Sequence, residues 1–256
     1  MTMISDPWFY VAAIPAVILF GIAKGGFGGG LGVVAVPLMA LVISPVQAAA
    51  ILLPILCIMD LFSVWAFRGK WVASELKILV PASIGGIAIG TLLFEFMSPA
   101  VIRLVLGLVA VSFTLHHWIG KRLAGGEDKA PYPGWVGLPA GLVAGFTSFV
   151  AHSGGPPMNM YLLRRNLTRT LFVGTSVVFF TVANYVKLIP YAWLGQFDLS
   201  NLGTSLVLSP LAPIGVGIGY WLHQRVSDRF FFAVVYVMLF IVGLKLMFDG
   251  VTGLMS

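Results

Sequence analysis

"PPMNMYLLRR", residues 156–165, is a run of eight apolar-rich residues closed by Arg164 and Arg165. As a helix, residues 156–163 rise only about 12 Å. The hydrocarbon core of a membrane is about 30 Å thick, so this piece cannot cross it. Its neighbours can. The chain is 59% hydrophobic and 9% charged, against about 25% charged in soluble domains. It reads as a polytopic membrane protein, and 156–163 reads as a half-helix beside a re-entrant turn or a break at membrane depth.

Working outward, the chain divides into two similar halves. Gly21, Gly25 and Pro37 match Gly141, Gly145 and Pro157 at an offset of 120. "RGKW" at 68–71 aligns with "LGQF" at 194–197. Pro81, Gly86 and Gly90 match Pro210, Gly215 and Gly219 at an offset of 129. The order of these matches predicts two homologous repeats. The first has apolar pieces at 8–23, 28–43, 46–67, 76–97 and 99–119. The second has them at 135–150, 156–163, 168–189, 199–222 and 229–248. The expected division is 1–119, a cytoplasmic linker at 120–134, and 135–256.

Charge sets the orientation. If the first two pieces of each half enter and leave on one side, Arg68, Lys70, Lys77, Lys121, Arg122, Lys129, Arg164, Arg165, Arg169, Arg225 and Arg229 share one face. Only Arg103 and Lys245 approach the other. The positive-inside rule prefers this arrangement over a single broken span. Both termini then lie outside, and an odd number of crossings inverts one half relative to the other. The fold class is therefore all-α: two inverted repeats, each with a broken or re-entrant glycine-rich hairpin plus three full spans. Two complete spans in place of the hairpin give the same loop sides, and the short piece favours the hairpin.

Other classes are excluded by composition. The start, "MTMISDPWFY", has no Lys or Arg before its apolar run, so the first helix is expected to be retained rather than cleaved as a signal. Cys57 is the only cysteine; it allows no internal disulfide or four-Cys metal site and reads as a small buried hydrophobe. The net charge of +6 is scattered at helix ends, which argues for orientation and against nucleic acid. No nucleophile elbow, zinc-protease helix or nucleotide loop is present. The chain is expected to be no enzyme and to need no cofactor or metal.

"FGIAKGGFGGGLGVVAVP", residues 20–37, carries glycines and Lys24 through lipid-length sequence. Each glycine weakens a helix by about 1 kcal/mol, and a lysine at the bilayer centre costs about 2.5–3.5 kcal/mol. Irregular backbone at that depth needs burial in protein or a wet cavity. A half-helix starting near Gly30, and another near Gly155, would aim their amino ends into the middle and form an anion site. The expected site comprises Lys24, Gly28, Gly29, Gly30, His152, Ser153, Gly154, Gly155 and Asn184. Close helix packing accounts for glycines too; it is the reading for 85–90 and 215–219. Lys24 as a snorkelling side chain and His152 as a structural donor stay open.

Two polar stripes complete the picture. Cys57, Asp60 and Ser63 share a helix face, and at an offset of 124 they match Thr181, Asn184 and Lys187. Intramembrane ionisable groups are functional candidates. Asp60 is the expected carrier of a coupling proton, with a buried ion pair as its alternative. Lys187, three residues before Pro190, reads as snorkelling to the outer interface.

The stretch "GIAKGGFGGGLGVVAVPLM" and the block "AHSGGPPMNMYLLRRNLTRTLFVGTSVVFFTVANYVKLIPY" resemble, in that order, the sulfite exporter TauE/SafE family, also called the toluene sulfonate uptake permease family. The resemblance covers nearly the whole chain. It implies a substrate class of sulfite, sulfonates and related organosulfur anions. The second motif, "FTSFVAHSGGPP", lacks the glycine-rich form of many members, which makes the expected pocket asymmetric. The expectation is an inner-membrane secondary transporter working by alternating access, with a small anion and membrane lipid as its partners. An anion channel and a non-transporting accessory subunit are the alternatives.

Overall fold

The computed structural model describes residues 3–29, 32–123, 132–162, 164–225 and 228–255. All regular structure among them is helical. Five stretches are long and apolar enough to span a membrane: α1 (Pro7–Gly26), α3 (Pro45–Ala66), α4 (Ala73–Leu93), Gly134–Ala151, which contains α6 (Gly137–Ala151), and α8 (Arg169–Trp193). A sixth is the pair α9 (Leu199–Leu208) and α10 (Leu211–Arg225), bent by 44°. Two elements are too short to span: α2 (Ala35–Met39) and α7 (Gly155–Leu162). The helices α5 (Pro99–Leu123) and α11 (Asp228–Met255) lie against each other. Most of the expected linker at 120–134 falls outside the described residues, as does Gly30.

Local chemistry fixes the ends. Ser44, Thr168 and Asp198 cap α3, α8 and α9 by accepting from Gln47, Leu171 and Asn201 amides. Gly69 and Gly195, matched in "RGKW" and "LGQF", follow α3 and α8 with φ of 72° and 67°. Trp8, Trp193, Trp65 and Trp135 stand exposed near helix ends, the place interfacial tryptophans take in a bilayer.

Three close pairings build the bundle, each glycine-mediated. Alongside α1 runs α10: a Cβ on Gly21 would stand 2.8 Å from Gly215 Cα, and one on Gly25 would stand 2.2 Å from Val216 O. Between α4 and α6, a Cβ on Gly86 would meet Leu142 O at 2.0 Å and one on Gly145 would meet Ser83 O at 2.0 Å. Antiparallel α5 and α11 touch at Gly107 and Gly243, and again at Leu104 and Gly250. The first helix of each half thus packs on the fourth helix of the other, and the fifth helices pack together.

The α6–α7 segment is a hairpin that returns to its starting side. The Tyr132 amide donates to Arg164 O at 3.3 Å, and the Arg165 guanidinium donates to Tyr132 O at 2.6 Å. Arg165 Nε also donates to Glu75 Oε1 at 2.8 Å, and Tyr161 Oη donates to Oε2 at 2.6 Å. The Glu75 hydrogen bond holds the guanidinium above its ordinary pKa. This clip ties both ends of the hairpin to the first turn of α4.

The hairpin from α1 to α2 is less regular than the sequence suggests. The predicted half-helix near Gly30 is a single tight turn at Gly32–Val34 and five residues of α2. The amide of Ile4 donates to Thr204 and Gln47 donates to Asn201, so the starts of α1 and α3 share one end of the bundle. The chain between them must come back.

Candidate functional site

Both α1 and α6 stop in the same way. The Gly29 amide donates to Ala23 O at 3.0 Å, and the Ser153 amide donates to Thr147 O at 3.1 Å. Each bond reaches back six positions, one more than the 6→1 bond of the Schellman helix end. The left-handed residue is Gly28 (φ 68°) in one and His152 (φ 52°) in the other. A histidine there is unusual, because that region suits glycine. These bonds use the Gly29 and Ser153 amides internally. Pro156 and Pro157 carry no N–H, and α2 is too short to gather a dipole. The expected convergence of two donor-rich helix ends is therefore replaced by a meeting of two helix breaks.

What stands between the breaks is Phe180, buried on α8. A Cβ on Gly29 would lie 2.9 Å from Phe180 Cε2, and one on Gly154 would lie 3.2 Å from Cε1. One aromatic ring separates the two turns and fills the space between them. The same face of α8 runs on in both directions. Phe172 and Ser176 border Gly28. Asn184, Lys187 and Tyr191 continue it toward the far end, spaced three or four residues apart.

Lys24 and Asp60 form a buried ion pair, with Nζ 2.6 Å from Oδ1 and side chains 2% and 0% exposed. Lys24 also donates to Leu56 O at 3.2 Å. Asp60 accepts from Thr181 Oγ1 at 3.0 Å and from Asn184 Nδ2 at 2.7 Å. Snorkelling is thereby removed for Lys24, and the carboxylate's partner is the lysine.

Lys187 is also fully buried, which overturns its reading as an interfacial side chain. Its Nζ lies 3.0 Å from Ser148 O, 3.0 Å from Ser148 Oγ and 2.7 Å from His152 Nδ1. His152 Nε2 then carries the ring proton and donates to Ala49 O at 2.9 Å. Pro54, further along the same helix, lacks the N–H that would bond Ala50 O, the neighbouring carbonyl. Ile51 O accepts from Ser205 in the same region. Ser153 Oγ turns back to Ala151 O at 3.1 Å, and Gly155 opens α7.

The structure thus brings Gly28, Gly29, Gly154 and His152 to one face of α8, and places Lys24, Asp60 and Asn184 in one network. Sequence reasoning missed Phe180, Ser148 and Ser176. The i, i+4 spacing of Phe172, Ser176, Phe180 and Asn184 marks one face of α8 but not what that face meets. Among the described residues no group of His, Cys, Asp and Glu is arranged to hold a metal.

An all-helical bundle of apolar spans, with broken helices and charges sealed at its centre, is a polytopic membrane transport protein. The family model described as "Sulfite exporter TauE/SafE" matches residues 13–246, and the chain belongs to that family. It is a membrane transporter of the sulfite or anion exporter type, not an enzyme. Neither the curated proteins nor the solved structures gave a match.

Proposed function

We propose that the protein carries small organosulfur anions, sulfite and sulfonates such as sulfoacetate, across the inner membrane by alternating access. The observation that carries this reading is the pair of equivalent helix breaks, at Gly28 and His152, on opposite sides of the Phe180 ring. The anion occupies the space the ring now fills, between Gly28–Gly29 and Ser153–Gly155, with Lys24, His152 and Asn184 as side-chain contacts. Gly30 follows them in the sequence and is included in the proposed site. Asp60 is the counter-ion that holds Lys24 while the site is empty.

The two halves are inverted repeats in this reading. Its support is the exchanged packing of first and fourth helices, the shared helix ends, and matched residues Asp60 and Asn184 touching each other. A residue meets its own repeat-mate only near a two-fold axis. Rocking of one half against the other moves the ring and exposes the centre to each side in turn. A channel needs an open multi-site pore, whereas here the centre is filled, which favours a carrier. The positive-inside rule puts the arginine-rich end in the cytoplasm and both termini outside.

Uptake into liposomes tests this with sulfite, thiosulfate, sulfoacetate, taurine and simple carboxylates. Saturable uptake and counterflow of the sulfur anions are expected. Linear, non-saturating flux indicates a channel, and no flux of any of them refutes transport by this chain alone.

A further inference from the structure

Lys187 has no counter-ion. Its three partners, Ser148 O, Ser148 Oγ and His152 Nδ1, are all uncharged, and no carboxylate lies within 4 Å of Nζ among the described residues. The side chain has no exposed surface. A sealed, unpaired ammonium is strongly disfavoured. Nζ donates to Ser148 O and to Ser148 Oγ and faces His152 Nδ1; these acceptors are neutral, so they hold the amine without compensating a full charge. Asp60 is the reverse case. It is surrounded by three donors, Lys24, Thr181 and Asn184, and has its charge partner in Lys24.

We propose that Lys187 is the proton carrier of the transport cycle. It is an uncharged amine in the sealed protein and gains a proton as the anion arrives, so that anion and proton cross together. This rests on the anion-transport reading above. The proton comes from water on the open side and bonds to the Nζ lone pair. The ammonium then holds the anion, supplying the charge partner that the protein lacks. On the other side the anion leaves, the N–H bond breaks and the proton returns to water, so a singly charged anion moves without net charge.

The groups facing Lys187 fit this cycle. His152, from the break after α6, keeps Nδ1 as an acceptor because Nε2 is committed to Ala49. Tyr191, one turn further along α8, is committed to Phe149 O at 2.7 Å. The Lys24–Asp60 pair and Cys57 act on Lys187 from α1 and α3. Lys24 and Asp60 neutralise each other, so Lys187 is the cation whose charge is left to change.

The test uses the full chain in liposomes, with sulfite as the probe and an internal pH dye. Wild type should take up about one proton per bisulfite-equivalent of charge, and uptake should fall as pH rises. Lys187→Arg stays protonated at every working pH, so it should lose proton movement and at least nine-tenths of the response to a pH gradient. Ser148→Ala removes an acceptor from Nζ and favours the neutral amine. Its uptake should therefore fail at lower pH than wild type. Wild-type proton coupling in Lys187→Arg overturns the assignment, as does a pH profile in Ser148→Ala that is unmoved or moved upward. If Lys187→Arg does not fold, the Ser148→Ala profile decides. Anion uptake by wild type without protons sinks this inference and spares transport. No anion uptake at all sinks the transport reading itself.

Discussion

Removing Lys24 leaves Asp60 as a buried carboxylate with two neutral donors and no cation. Breaking a buried pair from one side costs about 3–5 kcal/mol. Lys24→Ala should therefore unfold in detergent at a markedly lower temperature than wild type. Lys24→Met combined with Asp60→Leu should recover most of that loss, because no charge is stranded. A double variant no more stable than the single one shows that the pair is not what holds α1 to α3. At this scale the sequence was legible in part. Lys24, Asp60 and Asn184 stood out because polar groups are rare in apolar runs. Lys187 was misread because its distance from Pro190 says nothing about how α6 folds over it. Phe180 was silent, since one more phenylalanine among 19 carries no mark of standing between two helix breaks.

Among elements, glycine decides how near two helices come. At Gly145 a side chain would run into Ser83 O, so Gly145→Leu should destabilise by more than about 3 kcal/mol and abolish folded protein on size exclusion. Gly217→Leu, on a face with nothing within 4 Å, should fold normally. Gly29→Leu meets both a positive φ of 69° and the Phe180 ring; the fold is expected to survive and sulfite uptake to stop. Phe180→Ala should open the centre and raise passive sulfite leak several-fold, and an unchanged leak means the ring is no seal. The second hairpin was readable from an eight-residue length that no membrane could accommodate. The first was not, because 28–43 is long enough on paper and only the fold shows that helix is confined to Ala35–Met39.

For the whole molecule, orientation is the open quantity. A fluorescent protein that matures only in the cytoplasm should glow when inserted within 124–131 and stay dark when fused after Met255; the reverse pattern would turn the protein over. The pairing of α5 with α11, of α1 with α10 and of α4 with α6 means that neither half has its close neighbours without the other, so each half expressed alone should fail to accumulate. The meeting of Asp60 with Asn184 bears on how such a chain could arise. Had two identical half-length ancestors assembled as a dimer, this spot would have held two carboxylates or two carboxamides facing each other. On the inverted-repeat reading proposed above, one half holds the acid and the other holds its amide. Exchanging the two residues should therefore preserve their hydrogen bond while moving the negative charge from one half's lysine toward the other's, which turns an accident of ancestry into a handle on which lysine the cargo meets.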